Sequence, residues 1–120
     1  MKNGFLTPVC TELVDKDKDI RKVVTPLVYL DKRGDKHVVP DDFLSDLASV
    51  PPTPLMRYFF RRADTEASAI LHDWYCVTED ITREEADRLL YECLRSEGVG
   101  FIRAQMMWAA VRSYALIVGK

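Results

Sequence analysis

The stretch ITREEADRLLYECLRSEG, residues 81–98, decides how the rest of the chain is read. Thr82 stands three residues before Glu85, the spacing of a capping box, in which a hydroxyl and a carboxylate satisfy the first free amides of a helix. Gly98 supplies the left-handed backbone on which a helix ends. Between these signals Leu90, Tyr91 and Leu94 follow Asp87 at i+3, i+4 and i+7, so one carboxylate shares the apolar face. A carboxylate aimed at a core needs a partner there.

The partner is found upstream. Residues 65–76 place Ala69, Ile70, Leu71, Trp74 and Tyr75 at helical spacing, behind Asp64 or Thr65 as a cap. Only the five residues VTEDI, 77–81, join the two helices, and so short a connection folds the second back along the first. With the turn centred on Glu79, His72 lies seven residues before it and Asp87 eight after, at one level of the hairpin. A third helix, about residues 101–117, follows.

Towards the N-terminus the period changes. VCTELV, IRKVVTPLVYL and HVV are three strand candidates, separated by DKDKD (15–19) and DKRGDK (31–36), which have turn composition. Pro26 removes a ladder donor from the middle candidate and predicts an interruption, a bulge or an edge. The segment VPDDFLSDLASVPPTP, 39–54, carries four prolines and no sustained period, and reads as an ordered loop. The expected fold is α+β in a single domain, 1–120. It has a β-rich part (1–40) with a small antiparallel sheet of about three strands, then a proline-rich loop and short helix (41–64). A three-helix part (65–117) completes it: the hairpin and the last helix.

Composition excludes several classes. With 17 basic and 19 acidic residues there is no positive field to draw nucleic acid, and RYFFRRAD (57–64) reads as solvated arginines around a buried Phe pair rather than a stacking surface. Three cysteines without CxxC spacing argue against a disulfide framework or zinc knuckle and for reduced, mostly buried thiols. The N-terminus lacks a secretory apolar region, so the cytosol is the expected compartment, at least initially. FIRAQMMWAAVRSYALIVG is interrupted by Arg103, Gln105 and Arg112, and is read as a packed helix, not a transmembrane segment.

His72 and Asp87 have two readings. They form a buried pair that fixes helix register, or a catalytic pair in which Asp87 holds one imidazole tautomer and His72 serves as general base. In the loop FLSDLASVPP, Asp46 either caps a turn or joins the site, where the small residues Ser45, Ala48 and Ser49 permit close approach of backbone to a ligand. Asp46, His72, Asp73 and Asp87 together make a hard, oxygen-rich set that suits calcium, magnesium or manganese, with Asp46 and Asp73 as metal ligands.

VVPDDFLSDLASVPP, AILHDWYC and TREEADRLL, in this order and at these separations, resemble the signature of a family of small phage and prophage proteins of unknown function, over residues 5–116. In that pattern Asp42 stands where a glycine is usual, Ser45 where a threonine is, Pro52 where an arginine is, and Cys76 where an aromatic is. The resemblance implies a phage or prophage origin. His-Asp on one helix facing Ala-Asp on the next is also similar to the core of secreted and parvoviral calcium-dependent phospholipases. That likeness implies His72 as base, Asp73 as calcium ligand and Asp87 as orienter, although the glycine-rich calcium loop of those enzymes has no counterpart unless FLSDLASVPP supplies it. The expectation is a metal-assisted hydrolase of a small-molecule or lipid ester, or of an amide. The alternative is a non-catalytic virion or assembly component, or a modulator that binds a phage or host protein.

Overall fold

The computed structural model describes residues 3–47 and 49–119. Six strands, β1 (Gly4–Phe5), β2 (Thr11–Asp15), β3 (Ile20–Val23), β4 (Leu27–Leu30), β5 (Lys36–Val39) and β6 (Leu44–Ser45), precede four helices: α1 (Pro54–Phe60), α2 (Glu66–Thr78), α3 (Arg83–Ser96) and α4 (Phe101–Val118). The chain is therefore α+β, with its strands in two three-stranded antiparallel sheets, β1-β4-β5 and β2-β3-β6, where one sheet of about three strands was expected.

Pro26 is the reason for the split. The candidate over residues 20–30 breaks at Val24–Pro26 into β3 and β4, which enter different sheets. Both predicted turns exist. The segment 15–19 closes the β2–β3 hairpin, and Asp31 to Asp35 closes β4–β5, in which Leu27 pairs with Val39 and Leu30 with Lys36. Strands β1 and β6 went unforeseen because two residues are too few to show alternation.

The hairpin of helices forms as its signals dictate. Thr82 Oγ1 accepts from the Glu85 amide while Glu85 accepts from the Thr82 amide, completing the capping box. Gly98, at φ 87°, lets the Val99 amide reach back to the Leu94 carbonyl and ends α3. Helix α2 runs two residues beyond its expected end, until Glu79 takes a left-handed conformation at φ 58°. Thr65 precedes α2 without capping it, because its hydroxyl donates to the Phe59 and Arg62 carbonyls instead.

Helix α2 is the central element. Every residue from Glu66 to Asp73 is buried, because the helix lies between α3 on one side and β5 and β6 on the other. Ala69 packs with Leu90, Leu94, Met107 and Val111 in a helical core, while Ala67, Ile70 and Leu71 pack with Val23, Leu27, Tyr29 and Val39 beneath the strands. Of the Phe pair expected to be buried before α2, Phe60 is buried and Phe59 half-buried, while the arginines are less solvated than expected: Arg61 ties the β2–β3 turn to β6 through Asp19 and the Ser45 carbonyl. Helix α4 leaves Ile102, Met106, Leu116 and Ile117 exposed along one outer side. Among the described residues no helix is long and apolar enough to cross a membrane. All three cysteines are free, Cys93 buried, Cys76 half-buried and Cys10 exposed.

Candidate active site

His72 and Asp87 meet as the hairpin arithmetic requires: His72 Nε2 lies 2.6 Å from Asp87 Oδ1, and both side chains are fully buried. Asp87 is a junction for three cationic groups. Arg83, one helical turn earlier, donates from Nε to Oδ1 at 2.9 Å. Arg112 Nε reaches within 3.2 Å of Oδ2 as an ion pair that lacks hydrogen-bond alignment. Burial alone would raise the Asp87 carboxyl, but the hydrogen bonds from His72 and Arg83 outweigh it and hold the pKa below the ordinary value. For His72 the contest runs the other way. Burial pushes the imidazole down, and the Asp87 hydrogen bond, the adjacent Cys76 and the Asp73 charge lift it from 6.5 to about 9.

The other ring nitrogen is not idle. His72 Nδ1 lies 3.1 Å from Ser49 Oγ, and Ser49 donates to Asp73 Oδ1 at 2.5 Å. The Ser45 hydroxyl and the Leu47 amide donate to Asp73 Oδ2 at 2.6 and 3.0 Å. One carboxylate on α2 therefore ties down the loop through three donors. Leu47 pays the conformational cost: its φ of 59° is left-handed and uncommon for a residue with a branched side chain. The amide bond to Asp73 and a fully packed side chain hold it there.

Ser49 and Asp73 line a cavity of about 900 Å³ beside the α2–α3 turn, with Tyr75, Cys76 and Arg83 around them and Asp46, Glu79, Asp80 and Glu85 among its acidic residues. Cys76 Sγ lies 3.8 Å from His72 Nε2 and 3.9 Å from Nδ1. A second chain ends in the same cavity: Asp31 Oδ2 bonds His37 Nε2 at 2.7 Å, and His37 Nδ1 bonds the Tyr75 hydroxyl at 2.6 Å.

Of the four residues singled out from sequence, His72, Asp73 and Asp87 come together. Asp46 is exposed on the cavity wall, its carbonyl taken by Arg57, and the structure does not bring it into the His72 chain. Ala48 lies outside the described residues. A resident metal does not fit this arrangement. Both Asp73 oxygens are engaged by protein donors and the residue is 3% exposed, and among the described residues no three His, Cys, Asp or Glu groups are placed to hold an ion.

Sequence reasoning missed three contributors. Arg83 was findable, since it stands four residues before Asp87 on the same helix. Ser49 was noticed for its size and not for its hydroxyl. Arg112 carried no local signal, because its approach depends on how α4 packs on α3.

Residues 21–111 match the family described as a protein of unknown function, DUF1353. An uncharacterised protein of Sinorhizobium fredii, y4jT, is similar at 29% identity over 106 residues, 86% of this chain. The chain spans 31% of that protein's length. No solved structure matches.

Proposed function

The chain belongs to the DUF1353 family, and from that premise we propose that it is a hydrolase of an ester or amide in which Ser49 attacks and His72, oriented by Asp87, is the base. The observation that carries this reading is the unbroken chain Ser49 Oγ to His72 Nδ1 at 3.1 Å and His72 Nε2 to Asp87 at 2.6 Å, with its serine end on the cavity. A serine hydroxyl, an imidazole and a buried carboxylate in that order are the parts of an activated nucleophile on many unrelated folds. His72 thus acts through Ser49 and not directly on water.

The protonation states set the conditions. At neutral pH the His72 ring carries two protons, so Nδ1 donates to Ser49 while Ser49 donates to Asp73. As pH approaches about 9, Nδ1 becomes an acceptor and Ser49 can turn its proton towards it. In the attack the Ser49 Oγ–carbon bond forms and the Ser49 proton passes to Nδ1; the bond from the acyl carbon to the leaving group then breaks as that proton moves to the leaving group, and water, giving a proton to Nδ1 that returns to Ser49 Oγ, releases the acyl group as an acid. No step is assigned to a metal. A phage or prophage origin and action in the host cytoplasm complete the reading, supported by the three sequence blocks that resemble phage proteins.

The test is labelling with a fluorophosphonate, which forms an Oγ–phosphorus bond and expels fluoride. An adduct on Ser49, formed faster towards pH 9 and slowed about a hundredfold or more by His72→Gln, is the expected result. An unlabelled Ser49 overturns it. A second reading, a non-catalytic virion or assembly component or a modulator, has its own support: the apolar outer side of α4 formed by Ile102, Met106, Leu116 and Ile117 suits a protein partner.

A further inference from the structure

Helix α4 departs from the pattern of an outer helix. Its inner side is buried at Ala104, Met107, Val111 and Ala115, and its opposite side faces solvent. In a chain with 30% charged residues, every exposed residue from Phe101 to Gly119 is uncharged. The two arginines of the helix are committed inside the chain, Arg103 to Asp64 and Arg112 to Asp87. Helix α3 shows the ordinary arrangement, with the exposed ion pair Glu84–Arg88 on its outer side. Ile102, Leu116 and Ile117 are 75%, 77% and 82% exposed, one near the start of α4 and two near its end. An apolar side that runs the length of a helix is stable in water only when something covers it.

The order of side chains along that side points to what covers it. At about 100° per residue, positions 102, 106, 109, 113 and 117 face outward, opposite the buried ones, with the half-buried Ala110 at the edge. The spacing is the same in both directions from the midpoint between Ala109 and Ala110. A two-fold axis there, with the helices antiparallel, sets Ala109 against Ala110, Met106 against Ser113 and Ile102 against Ile117. The alanines let the backbones approach where the helices cross, the long Met106 meets the small Ser113, and an isoleucine pair closes each end. No charge meets a like charge, because the stripe carries none. A groove between α3 and α4, lined by Tyr91, Trp108 and Leu116, continues the apolar surface along one flank. The outward side chains expose about 600 Å² per copy, against about 800 Å² per partner in an ordinary specific interface, enough for a weak, concentration-dependent pair.

We propose that the outer side of α4 is a self-association surface, occupied by α4 of a second copy of this chain running antiparallel. This goes beyond the hydrolase reading and does not rest on it. A foreign partner would need only an apolar face, whereas pairing of the helix with itself also needs sizes that complement each other about one point, and the stripe has them.

Sedimentation equilibrium of the intact chain, from about 1 µM to about 1 mM, is the test. The mass is expected to climb from 13.8 kDa towards twice that value, with a dissociation constant of about 10–100 µM. Met106→Glu and Ser113→Arg, both at exposed positions, each weaken association about tenfold or more while the melting curve stays in place. Mixing the two variants restores association, because the antiparallel register sets the new carboxylate against the new guanidinium. In a Cys10→Ser background, Ile102→Cys and Ile117→Cys chains mixed and oxidised are expected to join 102 to 117, and not like to like. A monomer at the top of the concentration range overturns the proposal and leaves the α4 side to a different protein. Association that neither charged variant weakens overturns it too, as do like-to-like disulfides with no rescue on mixing.

Discussion

Replacing Asp87 by Asn removes the anion on which His72, Arg83 and Arg112 converge while keeping the size of the side chain. In the wild type His72 is raised from 6.5 in the unfolded chain to about 9 in the folded one. Between those values the native state holds a proton that the unfolded state has released, so stability is full below 6.5 and falls as pH rises. At about 1.4 kcal/mol per pH unit the loss is about 3 kcal/mol. In the variant the imidazole faces two arginines without the carboxylate, and burial keeps it neutral through that window. Two consequences follow. Near neutral pH the variant is less stable by about 3–5 kcal/mol, the usual cost of breaking a buried ion pair by removing one member. At roughly 4 °C per kcal/mol for a chain of this size, its melting temperature drops by about 12 °C or more. Its stability also ceases to decline between pH 6.5 and 9. Urea titrations followed by circular dichroism at half-unit pH steps measure both. An unchanged midpoint at pH 7, or the same alkaline slope in both proteins, refutes the assignment of the proton to His72.

Asp73→Ala strips the acceptor from the Ser45 and Ser49 hydroxyls and the Leu47 amide, and should cost about 3 kcal/mol, read as a lowered urea midpoint. Tenfold faster proteolysis within residues 43–50 should accompany it, and a variant as resistant as wild type would mean the loop is held by packing alone. Glu79→Gly relieves a left-handed backbone and should raise stability by about 0.5–1 kcal/mol. A lower melting temperature would contradict that expectation. Thr82→Ala opens the capping box and should destabilise by about 1 kcal/mol, which thermal melting detects.

The helical hairpin was legible because its information is local and redundant. A cap, a stop, a period and a connecting segment of fixed length agree on where His72 and Asp87 sit. The two sheets were not, because the partition of six short strands depends on what each finds opposite it: β1 on β4 and β6 on β3 are pairings across the chain. The site divides along the same line. Asp73 was recognised as a site carboxylate, but the three loop donors that reach it were not. The residue period says which way a side chain points, but not what arrives from 24–28 residues away.

That sequence separation has a kinetic consequence. The α2–α3 and β2–β3 hairpins close over short distances and can form early, whereas the Ser45–Ser49 segment reaches Asp73 only after a longer loop has closed with Leu47 forced into an unfavourable backbone well. Docking of the loop is accordingly a late event in folding and an early one in local opening. Each such opening would part Ser49 from His72 without melting either hairpin, so the lifetime of the assembled pair is set by the three hydrogen bonds from Ser45, Leu47 and Ser49 to Asp73. Hydrogen exchange at Leu47 counts those openings.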